Sequence, residues 1–119
     1  MKNFLAILTL LALFLISTTA FAVEGPMNLP ATAKADAVSH NKEGITSWNQ
    51  KDYNGALMHF SAASKIDDSS GEIHFNEAIC YDKIGQHGVA TKHFGVALKK
   101  AGGNTKLLNS PILKGHLGM

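Results

Sequence analysis

The side chains best suited to chemistry are histidines, and they stand at a fixed spacing from carboxylates. His40-x-x-Glu43 and His74-x-x-Glu77 each set an imidazole and a carboxylate three residues apart, the separation that brings two side chains onto one face of a helix. Such a pair can share a hydrogen bond, relay a proton or offer two ligands to a metal. The two pairs are poorly placed to pool their ligands. They recur 34 residues apart, and equivalent positions on stacked helices sit roughly 8–10 Å from one another, whereas zinc draws every ligand atom to within about 2.1 Å of one point. The expectation is a hydrogen bond between His and carboxylate in each pair, with no metal site, and an equally structural role for His59 and His93.

Cys80 is the lone cysteine, so it has no partner for an internal disulfide and is expected to be buried. No CxxC accompanies it, and His74, six residues upstream, falls on a different helical face. The sequence also lacks a phosphate-cradling Gly-rich loop, a GxSxG elbow and an HExxH pair. Gly102-Gly103 reads as the end of a helix. The chain is expected not to be an enzyme and to need no cofactor.

The elements that carry these residues repeat. Sliding the sequence by 34 residues superposes His40 on His74, Glu43 on Glu77, Ile45 on Ile79, Ala56 on Ala90, His59 on His93, Phe60 on Phe94, Ala63 on Ala97 and Lys65 on Lys99, where average residue usage would give roughly two matches. Tyr53, Ala56, Leu57, Phe60 and Ala63 form one apolar stripe at helical spacing, as do Ala90, Phe94, Ala97, Leu98 and Ala101. No segment alternates long enough for a half-buried strand. The expected fold is all-α, with helices near residues 33–49, 53–66, 72–84, 87–101 and 105–116. Asp52 suits an N-cap, Gly85 a C-cap, and Ser110-Pro111 either a kink or a fresh N-cap.

A 34-residue unit of two helices resembles the tetratricopeptide repeat family over residues 37–104. Gly44 and Ala78 match its small residue on the first helix, Tyr81 its aromatic there, Ala56 and Ala90 its small residue on the second helix, Phe60 and Phe94 the following aromatic, and Ala63 and Ala97 the last small position. His40, Glu43, His74 and Glu77 stand where that family prefers bulky apolar residues, and the proline after each repeat is replaced by Asp68 and Gly102. The resemblance implies a TPR-like α-solenoid of two helix-turn-helix repeats, residues 37–70 and 71–104, with a partial repeat or capping helix over 105–119. It further implies a concave groove that takes a partner peptide or helix. The groove positions carry over as Asn41, Ile45, Trp48 and Asn49, then Phe75, Asn76, Ile79, Asp82 and Lys83, and finally Lys106 and Asn109. Trp48, Phe75 and Ile79 would be the apolar anchors. Asn76 and Lys106 match two positions of the carboxylate clamp of chaperone-tail binders; Asn41, Ile45 and Ser110 occupy the others, so capture of a C-terminal carboxylate is not expected.

The N-terminus reads as an address. Lys2 precedes an apolar run from Phe4 to Ile16, and Ala20-Phe21-Ala22 has the small-x-small form of a signal-peptidase site. Residues 1–22 are therefore expected to be a signal peptide, 23–31 an extended leader containing Pro26 and Pro30, and 32–119 the repeat domain of a periplasmic or secreted protein. Beyond Lys2, the chain has no Arg and nearly balances Lys against acids, which gives nucleic acid or an anionic membrane no electrostatic hold. The expected function is a non-enzymatic scaffold or adaptor of the cell envelope that binds another protein. The alternatives are a self-associating structural component and a His-dependent carrier of a metal or small ligand.

Overall fold

A computed structural model describes residues 24–119. The expected signal peptide therefore lies outside the described residues. These contain six α-helices and no strand: α1 (Ala35–Asn49), α2 (Tyr53–Ile66), α3 (Gly71–Lys83), α4 (His87–Lys99), α5 (Thr105–Leu108) and α6 (Pro111–Leu117). The helices pack in adjacent pairs, α1 on α2 and α3 on α4; α2 joins the pairs by packing on α3, and α6 closes the far side of α4. None is long and apolar enough to cross a membrane.

Local chemistry sets the boundaries. The Asp52 carboxylate accepts the Gly55 N–H at 2.9 Å and starts α2; Ser70 does the same for α3 through the Ile73 N–H. α1 and α3 end in the same way. Asp52 N–H reaches back to the Ser47 carbonyl and Gln86 N–H to that of Tyr81, both at 2.9 Å, the six-to-one closure of a Schellman turn. The turn needs one residue in the left-handed region, supplied by Lys51 (φ 61°) in the first pair and Gly85 (φ 87°) in the second. The single helix expected over 105–116 is two. Pro111 lacks an N–H and disfavours the helical region for Ser110, so Ser110 becomes a cap instead, accepting the Leu113 N–H at 3.2 Å.

Small residues let the paired helices approach. A β-carbon at Gly44 would stand 2.5 Å from the Phe60 ring; Ala56, Ala63, Ala78, Ala90 and Ala97 are all fully buried. The core forms two clusters, one around Phe60, Ile73 and Cys80, the other around Phe75, Ile79, Phe94, Leu107 and Leu113. Trp48 packs against both.

Candidate functional site: a leader cradle and three histidine clusters

The leader is not a loose arm. Residues 24–30 are without regular structure, yet Met27 is buried in the cluster of Phe75, Ile79 and Leu113. Two asparagines grip its peptide groups. The Met27 N–H donates to Asn76 Oδ1 at 2.7 Å, and the Met27 carbonyl accepts from Asn76 Nδ2 at 2.8 Å and from Asn41 Nδ2 at 3.0 Å. Asn76 Nδ2 also donates to Asn41 Oδ1 at 2.8 Å, so the amides hold each other in register. At one end Glu24 Oε2 accepts from Ser110 Oγ at 2.9 Å and from the Ile112 N–H at 3.1 Å. At the other, Leu29 packs against the first core cluster.

The expected groove residues divide accordingly. Asn41, Phe75, Asn76 and Ile79 are buried, Ile45, Trp48 and Asp82 are half-buried, and Asn49, Lys83, Lys106 and Asn109 are exposed. Phe75 and Ile79 do not form an open apolar strip with Trp48: they belong to the core, where Phe75 meets the Phe94 ring edge-on at 5.7 Å. The leader was missed because its role depends on a contact between residues 49 positions apart, whereas its prolines speak only of extended backbone. Trp48 stacks edge-on against Tyr53 at 4.8 Å, and the Lys83 ammonium lies 6.0 Å from the Trp48 ring centre.

All six histidines of the chain fall into three clusters, each of two imidazoles and one carboxylate: His40, Glu43 and His59; His74, Glu77 and His93; Asp82, His87 and His116. In each, one ligand-type atom from every residue lies within 4.8 Å of the others. The first two are repeats of one another, and each is completed within its own helix pair by a histidine of the second helix. His59 and His93 superpose under the 34-residue shift, so the signal was in the sequence; what it lacked was the rotation of the second helix against the first. The expected hydrogen bond between His and carboxylate does not form in either pair, because His40 to Glu43 and His74 to Glu77 both span 3.9 Å, beyond hydrogen-bond reach.

The clusters differ in how their polar atoms are satisfied. In the third, Asp82 Oδ1 lies 2.7 Å from His87 Nδ1 and 2.8 Å from His116 Nε2, while His116 Nδ1 meets Thr91 Oγ1 at 2.9 Å. Burial pulls the Asp82 carboxyl up, but the hydrogen bonds of His87 and His116 outweigh it and hold it below the usual range. In the first, Glu43 lies 3.0 Å from His59 and is more than half exposed. The second is enclosed: the His74 and Glu77 side chains are 11% and 7% exposed. There His74 Nδ1, Glu77 Oε1 and His93 Nδ1 are buried without a hydrogen-bond partner. Burial pushes the Glu77 carboxyl up to about 7 against the hydrogen bonds of Ser64 and Ser61, and it lowers His93, helped by His74. Cys80, one turn beyond Glu77, is buried as expected; burial and the Glu77 charge push its thiol up to about 12, which leaves no thiolate at neutral pH. No family model and no curated protein matches this chain.

Proposed function

We propose that the chain is a non-enzymatic, exported scaffold built as a TPR-like solenoid, and that it holds an extended segment of another protein in the cradle its own leader fills. The observation that carries this reading is the grip of Asn41 and Asn76 on the Met27 peptide unit. Backbone groups taken in this way give affinity for any extended chain, and the pocket for the side chain gives selectivity. The cradle's chemistry asks for a large apolar residue with a carboxylate three residues before it, as Glu24 precedes Met27. The 34-residue period, the adjacent helix pairs and the close Gly44–Phe60 contact support the solenoid. The Lys2 to Ala22 pattern supports export to the periplasm or medium.

The test uses a fluorescent peptide of the Val23–Pro30 sequence and mature protein carrying Met27→Asp, whose own leader cannot seat its charge in an apolar pocket. The peptide binds this variant saturably, binds the wild-type chain far more weakly because the leader competes, and loses its binding when Asn76→Leu is added. A folded Met27→Asp protein that ignores the peptide sinks the reading. The self-associating alternative draws on the same contacts, since a second copy could supply the leader; it requires a wild-type dimer that Met27→Asp dissolves.

A further inference from the structure

We propose that His74, Glu77 and His93 form a binding site for a divalent first-row transition cation of the zinc class, built between the two helices of the second pair. The site is independent of the leader cradle.

Three observations lead there. The first is the donor set. Two imidazoles and one carboxylate suit zinc, cobalt, nickel or copper ions rather than magnesium or calcium, which take oxygen ligands. The second is the state of the donor atoms. His74 Nδ1, Glu77 Oε1 and His93 Nδ1 are buried with no hydrogen-bond partner, and Glu77 is 6% exposed. Buried polar atoms are nearly always paired, so three orphans from three residues gathered at one place call for a common partner that accepts lone pairs. A cation is such a partner, and the Ser61 and Ser64 hydroxyls that reach the Glu77 carboxyl leave these three atoms unpaired.

The third is orientation. His74 Nε2 stands 2.9 Å from the Asp68 carbonyl oxygen, which can only accept, so Nε2 carries the proton and Nδ1 presents its lone pair. An imidazole anchored through one nitrogen to a carbonyl while the other ligates is the usual outer-shell arrangement of a metal site. His93 is held from the side by Tyr81, whose ring stacks on it at 5.0 Å, and it faces His74 at 6.2 Å between ring centres.

The spacing is that of a site before contraction. Ligands about 2.1 Å from one tetrahedral centre lie roughly 3.4 Å apart; here His74 Nδ1 and Glu77 Oε1 are 3.9 Å apart, and one ligand-type atom from each of the three residues lies within 4.8 Å of the others. Small side-chain rotations on α3 and α4 close that difference. Three protein ligands leave a fourth position for water or an exchangeable group, unlike a closed four-ligand structural site. The other clusters show why the second is chosen. Hydrogen bonds already satisfy Asp82, His87 and His116, and in the first pair Glu43 is open to solvent and engaged by His59.

Tag-free mature protein is stripped with a chelator and titrated with Zn2+ by calorimetry, then with Co2+ by visible absorption. One tight equivalent is expected, with Co2+ bands of a low-coordinate nitrogen and oxygen site. His93→Phe, which keeps an aromatic ring beside Tyr81, and Glu77→Gln, which keeps the shape, each weaken that equivalent at least about 100-fold, beyond what losing an outer-shell partner does. Both retain wild-type helicity. His87→Ala changes nothing, and His59→Ala removes at most a second, weaker equivalent. The proposal is overturned if the wild-type chain binds no Zn2+, if the tight equivalent survives His93→Phe and Glu77→Gln, or if His87→Ala or His59→Ala removes it.

Discussion

Asn76 holds both polar groups of the Met27 peptide unit, accepting its N–H at 2.7 Å and donating to its carbonyl at 2.8 Å. Both residues are buried, so neither partner has water to fall back on. Asn76→Leu strands the Met27 N–H and removes the donor to Asn41 Oδ1; leaving buried groups unpaired costs about 1–3 kcal/mol. Urea denaturation should show a loss of that size and limited proteolysis should cut the leader faster, while Asn49→Ala, on the exposed end of α1, should change stability by less than about 0.5 kcal/mol.

Lys51 does with a side chain what Gly85 does without one. Both occupy the left-handed position after a first helix, 34 residues apart, and a β-carbon there costs roughly 1–2 kcal/mol. Lys51→Gly should relieve part of that and stabilise the protein by about 1 kcal/mol, whereas Gly85→Lys should destabilise it by a similar amount. Thermal melts of the two variants should move in opposite directions.

Two glycines in helices should respond oppositely to alanine. At Gly44 the new methyl would meet the Phe60 ring at 2.5 Å, and overpacking of this kind costs about 1–3 kcal/mol. At Gly95, within α4, nothing lies within 4 Å of the added carbon, so alanine's better helix propensity should stabilise by roughly 0.5–1 kcal/mol. If Gly44→Ala is neutral, the close approach of α1 to α2 is wrong.

Asp67 links the start of α1 to the loop between the pairs, taking hydrogen bonds from the Ser69 hydroxyl and N–H and from the Lys34 N–H. The Ser69 hydroxyl first, then the Lys34 N–H, hold its carboxyl at about 2, below the usual 3.8. A carboxyl whose value is depressed by folding adds stability that is complete above the unfolded value and lost as pH falls through the folded one. Asp67→Asn should therefore be less stable than the wild-type chain above pH 4, and the gap should close between about 4 and 2. Chemical denaturation across that range measures it; a gap that persists below pH 2 would assign the effect to something other than ionisation.

Export gives a covalent readout. If Ala20-Phe21-Ala22 is cleaved, protein recovered from the periplasm or medium should begin at Val23 by intact mass, one residue before Glu24 meets Ser110 Oγ and the Ile112 N–H. Ala22→Leu should block processing and leave the precursor on the membrane; processing at wild-type rate would place the cleavage elsewhere.

The 34-residue period, the apolar stripes and the capping residues determined the helices, because these signals are local: a cap acts within three residues and a stripe within a few turns. Asp52 and Gly85 stood where they were expected, and the small positions at Gly44, Ala56, Ala78 and Ala90 marked the close contacts. Tertiary structure alone decided which faces stay open. Phe75 and Ile79 have the composition of a binding strip as readily as of a core, and only the arrival of Met27 and Phe94 beside them placed them in the core. The histidines divided in the same way. Their repeat was plain in the chain, but three residues apart on one helix is a statement about direction, not distance. His74 and Glu77 stay 3.9 Å apart, and their third companion, His93, comes from the next helix, whose rotation is set by how Phe94 and Ala90 pack against α3 and by no spacing along the sequence.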